Sequence, residues 1–143
     1  MTNLLKILFA VFLLTSCEKD ASFLTAEIIT QEQPVSYRLE IANTQAKQQK
    51  GLMYREHLAP DYGMIFLFEP REDIAMWMKN TYIPLDMLFL DEASKIVFIY
   101  ENATPMSTKV IAPQKKQKIA TVIELNAGQV QKHHIQIGQF VKF

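Results

Sequence analysis

Leu85-Asp86-Met87-Leu88-Phe89-Leu90-Asp91-Glu92-Ala93-Ser94-Lys95-Ile96-Val97-Phe98-Ile99-Tyr100 is the stretch that decides the fold class. An apolar run with a single acid, a compact polar break over Asp91–Ser94 and a second apolar run read as a β-hairpin. Its first strand is covered on both faces. Upstream, Met64-Ile65-Phe66-Leu67-Phe68 is another continuous apolar run, ended by Glu69-Pro70, and Ile74–Met78 has the same character. Val35-Ser36-Tyr37-Arg38-Leu39-Glu40-Ile41 instead places apolar residues at every second position, so one face is buried. Thr25–Thr30 precedes it across the polar break Gln31–Pro34. Downstream, Ile119–Leu125 reads as a strand and Phe140–Phe143 as a short closing one. Two short helices interrupt the series. Asn43 or Thr44 caps the first, over Gln45–Lys50, with Gly51 placed to end it. Asn126 caps the second, which runs to about His133. Eight or nine short strands with no βαβ alternation predict an all-β fold, mainly β with two short helices, as a sandwich or barrel.

The 143 residues suffice for one domain. Fifteen Lys+Arg against fifteen Asp+Glu leave no net charge, so the chain lacks the basic footprint expected of a nucleic-acid partner. One cysteine excludes an internal disulfide framework and a multi-Cys zinc site. The three histidines do not make a metal centre either. His57 lies in a loop before Pro60, and adjacent helical residues such as His133 and His134 point about 100° apart. Of the methionines, Met53, Met64, Met76, Met78 and Met87 read as core. No G-x-S-x-G elbow is present. These patterns predict no metal, no cofactor and no catalytic residue.

The lone cysteine has its own explanation. Lys6 precedes the apolar run Ile7–Leu14, which is too short for a span of about 20 residues and suits a secretory signal. Leu14-Thr15-Ser16-Cys17 then resembles the lipobox of bacterial lipoprotein precursors. Residues 1–16 are expected to be the signal peptide, Cys17 the lipid attachment site, 17–22 a polar tether and 23–143 the domain. Loss of Lys6 with the leader leaves 14 basic and 15 acidic residues. The expected location is the bacterial cell envelope, extracytoplasmic and anchored to the membrane through the N-terminal lipid.

Three further stretches are more specific than composition requires. They are Lys50-Gly51-Leu52-Met53-Tyr54-Arg55 with Gly63-Met64-Ile65-Phe66; Trp77-Met78-Lys79-Asn80-Thr81-Tyr82-Ile83-Pro84-Leu85-Asp86-Met87-Leu88-Phe89; and Glu101-Asn102-Ala103-Thr104-Pro105-Met106-Ser107 with Glu124-Leu125-Asn126-Ala127-Gly128. In order and spacing they resemble the family called "domain of unknown function 192", from about Ala26 to the C-terminus. The resemblance implies a compact, jelly-roll-like or barrel-like β fold, often exported, and no established reaction. Gln48 stands where members often have a basic residue, Met76 where an aromatic is usual, and His134 where Gly is common. The last is compatible with a left-handed helix end.

Around Pro84, Trp77, Lys79, Asn80 and Asp86 combine an aromatic wall, a cation, an amide and a carboxylate. That mixture suits a small polar ligand stacked on indole. The same residues also suit a structural turn, with Trp77 in the core and Asp86 anchoring Lys79 or Arg55. Arg55 can grip a carboxylate of a ligand, of Asp86 or of Glu101. Glu101 and Asn102 complete the candidate ligand-binding set. The expected function is a non-enzymatic binding or accessory module for a small molecule, glycan or envelope protein. The alternative is a metal-independent enzyme on carbohydrate or envelope-derived material, with Asp86 and Glu101 as its carboxylate pair.

Overall fold

The computed structural model describes residues 22–143; the leader and Cys17 lie outside the described residues. Seven strands form one mostly antiparallel sheet: β1 (Phe23–Ile29), β2 (Val35–Ala42), β3 (Tyr62–Arg71), β4 (Leu85–Leu90), β5 (Ile96–Ala103), β6 (Ile119–Asn126) and β7 (Phe140–Lys142). Their order across the sheet is β5-β4-β6-β3-β2-β1-β7. Only β2 and β3 run parallel, and their connection carries helix α1 (Gln45–Lys50), as a parallel crossover requires. The sheet curls until its two edges touch at one corner. There the Ile96 amide donates to the Gln139 carbonyl (2.8 Å), the Gly138 amide to Ile96 (2.8 Å) and the Val141 amide to Ser94 (2.9 Å). The fold is all-β, a partly closed barrel made from a single sheet.

The hairpin reading holds: β4 pairs antiparallel with β5, and every residue of β4 is buried. Two apolar layers explain that burial. All seven strands feed the barrel interior, through residues such as Ile28, Leu39, Ile65, Leu88, Ile96, Ile123 and Val141, capped by Val130 and Ile135. On the outer face Met64, Phe66, Leu85, Met87, Phe89 and Val122 pack under Leu52, Ile74, Met78 and Ile111, which come from the long connections. Central strands therefore carry apolar residues on both sides, while β2, nearer the edge, alternates.

Two expectations fail. Ile74–Met78 is no strand. It makes a single bridge, Met76 to Ile111, and otherwise serves as an apolar lid on the outer face, which reduces the strand count to seven. A short apolar run fits a buried connection as well as it fits a strand. The second helix, α2 (Gln129–Lys132), starts after Gly128, which is left-handed at φ 86°, and not at Asn126. Asn126 ends β6, and its side chain donates to the carbonyls of Leu58 and Ala59 (3.0 Å each). The α1 boundaries are as expected, with Thr44 as the cap, its hydroxyl accepting from the Lys47 amide, and Gly51 at the end. His134 is left-handed at φ 50°.

Candidate functional site

The residues picked from sequence separate into three places. Asp86 is fully buried on the barrel-interior face, where its carboxylate accepts from the backbone amides of Asn102 and Val130 (2.9 Å each). Neither Lys79 nor Arg55 reaches it. Arg55 pairs with Glu40 at 2.7 Å, half-exposed, and Lys79 lies over the Trp77 ring, its Nζ 5.3 Å from the centroid. Asp86 ties the β5 end and the α2 start to β4, and its negative charge adds to burial in pushing the Tyr37 hydroxyl up to about 12. Glu101 and Asn102 have exposed side chains, and Asn102, at φ 51°, contributes only its amide to Asp86. An Asp86–Glu101 catalytic pair finds no support, because the buried Asp86 is committed to two backbone amides and Glu101 stands in solvent.

Trp77 is the second surprise. It is 47% exposed and not core, and it walls a cavity of about 60 Å³ lined also by Lys50, Leu52, Met53, Phe66, Met76 and Thr81. Met53 and Met76, expected in the core, are half-buried in this wall, whereas Met64, Met78 and Met87 are buried. Gln48, one of the departures from the family pattern, also lines the cavity, and its amide is spent on the Leu67 carbonyl (2.6 Å).

The cavity also reaches Glu124, a residue the sequence reading passed over. Glu124 sits mid-strand in β6, 4% exposed, opposite Met64 of β3 and Met87 of β4. Neither methionine offers a proton. Burial alone pushes its carboxyl up to about 8, with no cation or donor opposing the shift. No fully enclosed side-chain nitrogen or oxygen lacks a partner among the described residues, so the unpaired Glu124 oxygens open onto the cavity. A lone acid between Ile123 and Leu125 in an apolar strand was the available signal.

Strained backbone fixes the walls. Tyr54 (φ 63°) and Asn80 (φ 54°) both occupy the left-handed region, unusual for tyrosine and tolerated by asparagine. They hold one another. The Tyr54 amide donates to the Asn80 carbonyl (2.8 Å), and the Asn80 amide group donates to the Tyr54 hydroxyl (2.9 Å). This clamp joins the Gly51–Met53 wall to the wall carrying Trp77 and Thr81. Such strain concentrates at sites whose geometry must be held. Beside the opening Tyr54 packs edge-on against Tyr82, and both rings are exposed. Among the described residues no group of three His, Cys, Asp or Glu could hold a metal ion.

The family described as "Uncharacterized ACR", DUF192, matches residues 26–143. No curated protein matches the chain. Two crystal structures are similar to it. One is described as a "putative transcription regulator" from Sinorhizobium meliloti 1021, 38% identical, covering 86% of this chain and 96% of that one, with a TM-score of 0.79. The other is a protein of unknown function from Novosphingobium aromaticivorans DSM 12444, 31% identical, covering 85% of each chain, also with a TM-score of 0.79.

Proposed function

The chain belongs to the DUF192 family, and from that premise we propose that it is a binding module of the bacterial cell envelope without enzymatic activity. Residues 1–16 are its signal peptide, Cys17 its lipid anchor, 17–22 its tether and 23–143 the domain presenting the Glu124 cavity to a small ligand. The observation that carries the binding reading is the Glu124 carboxyl. It is buried, unpaired, held on a central strand and open only to a small cavity walled by an exposed indole. A carboxyl that meets only a small cavity is poorly solvated, and a ligand that hydrogen-bonds to it recovers part of that cost. Rigid strands and the Tyr54–Asn80 clamp pre-form the site.

Mass spectrometry of the purified full chain tests this. A small molecule should accompany the wild type and be absent from Glu124→Leu. Identical spectra from both proteins refute the reading.

One observation favours the alternative, an enzyme on carbohydrate or envelope-derived material. A carboxyl raised to about 8 is still protonated at neutral pH, as a general acid must be. Among the described residues Glu124 is however the only carboxylate lining the cavity, so the two-acid geometry of most glycosidases has no second member among them. A role in transcription, the wording attached to the Sinorhizobium relative, gains nothing from a chain of balanced charge.

A further inference from the structure

We propose that the Glu124 cavity takes the acetamido group of a neutral ligand, the carboxyl pairing with the amide through two hydrogen bonds while Trp77 covers the ligand's body. This inference rests on the binding reading and names its ligand class. A protonated carboxyl offers one O–H donor and one carbonyl acceptor, and an amide offers the reciprocal pair. Of the other polar side chains lining the cavity, Gln49 and Lys50 are exposed and two are already engaged. The Thr81 hydroxyl already donates to the Lys79 carbonyl (3.2 Å), and the Gln48 amide is spent on Leu67. Leu52, Phe66 and Met76 give the methyl end of such a group an apolar wall.

Size supports a head group and no more. At about 60 Å³, and open to solvent, the cavity suits a group of a few heavy atoms. The rest of the ligand must lie outside, against the half-exposed Trp77 face.

Charge argues for neutrality. Besides Glu124, the charged residue lining the cavity is Lys50 from the end of α1, while the strands flanking Glu124 present only Met64 and Met87 and Lys79 lies over the Trp77 ring. Lys50 makes no ion pair with Glu124. Lys50 opposes an incoming ammonium group. A ligand carboxylate would meet an anion in Glu124 as pH rises.

Trp77 is the chain's only tryptophan, so its fluorescence reports occupancy directly. The full chain in mild detergent is titrated with N-acetylglucosamine, Nε-acetyllysine, glucosamine and acetate. Both acetylated probes should bind at pH 6, and the tighter one identifies the source, glycan or acetylated side chain. Their Kd should rise about tenfold per pH unit above pH 8, as the carboxyl loses its proton. Glucosamine and acetate should bind at least tenfold more weakly. Glu124→Gln, which keeps a donor and an acceptor, should stay within about threefold at pH 6 and lose the pH dependence, while Glu124→Leu should lose at least tenfold.

Glucosamine binding that tightens as pH rises overturns the proposal in favour of a cation site. Acetate as the tightest probe overturns it in favour of an anion site. A response that is flat with pH, or Glu124→Leu binding like wild type, shows that Glu124 is not the contact. Silence from all four probes also overturns it, while the broader binding reading is judged separately by the co-purification comparison.

Discussion

Replacing Glu124 by Gln should make the protein more stable at neutral pH. Its carboxyl has an ordinary value of 4.5 and a native value of about 8. Below pH 4.5 the folded and unfolded chains both hold the proton, and the group contributes no pH dependence. Between 4.5 and 8 the unfolded chain releases the proton while the native state keeps it. Stability therefore falls by about 1.4 kcal/mol per pH unit, to a deficit of about 5 kcal/mol above pH 8. At pH 7 the deficit is about 3 kcal/mol. Gln is nearly isosteric with the protonated acid and carries no titrating proton, so every other group cancels in the difference between the two proteins. Urea melts at pH 4, 5.5, 7 and 8.5, followed by far-UV circular dichroism, should show nearly equal midpoints at pH 4. The variant's advantage should then grow to several kcal/mol by pH 8.5. A difference constant to within about 0.5 kcal/mol across that range would refute a buried, unpaired carboxyl at this position.

Asp86→Ala should behave oppositely, costing about 2–4 kcal/mol in denaturant melts because it orphans the buried Val130 amide, at about 1–3 kcal/mol, and the part-buried Asn102 amide, at less, plus lost packing. A loss below about 1 kcal/mol would deny it that role. Asn80→Ala should cost less, about 1–2 kcal/mol, for a left-handed residue and one exposed bond to Tyr54, as the same melts would show. Gly63→Ala should destabilise by about 2–3 kcal/mol or more, since a Cβ there would sit 2.4 Å from the Glu124 carbonyl oxygen on the paired strand; an unchanged melting temperature would contradict that register. Cys17→Ser should abolish incorporation of labelled fatty acid and leave an unprocessed precursor, whereas release of wild-type protein from membranes by high salt alone would refute a lipid anchor.

The parts legible in the sequence were those set by local periodicity and turn chemistry. Leu85–Tyr100 is a hairpin because two apolar runs flank a polar turn, and Asp91 bonds the Ala93 and Lys95 amides inside that turn. Thr44 and Gly51 mark α1 through caps that act within a few residues. Ile74–Met78 has the apolar run of a strand, yet its burial comes from packing across the sheet and not from a ladder. Trp77 was assigned both to core and to wall, and only the path of the 72–84 connection decides for the wall. Arg55 had three candidate acids within reach of argument, and it pairs with Glu40, one strand away and named by none of them. Each of these outcomes depends on contacts between distant segments, which periodicity does not carry.

Register decides the fate of the two buried acids. In the β4–β6 ladder Asp86 stands opposite Leu125, and Glu124 opposite Met87. The two acids lie one rung apart on neighbouring strands, so they point to opposite faces of the sheet. Asp86 enters the barrel interior, where the chain turns into α2 and leaves β5 with amides free to donate. Glu124 enters the outer layer between two methionines, where its carboxyl has no hydrogen-bond partner among the described residues and opens onto the cavity. Folding explains the first acid. It does not explain the second, because a methionine at 124 would join the Met64–Met87 layer and remove a deficit of about 3 kcal/mol at neutral pH, from a net stability that in small domains is about 5–15 kcal/mol. On the binding reading, a carboxyl kept at that cost, on a rigid strand and beside an indole half in solvent, serves contact with whatever enters the cavity.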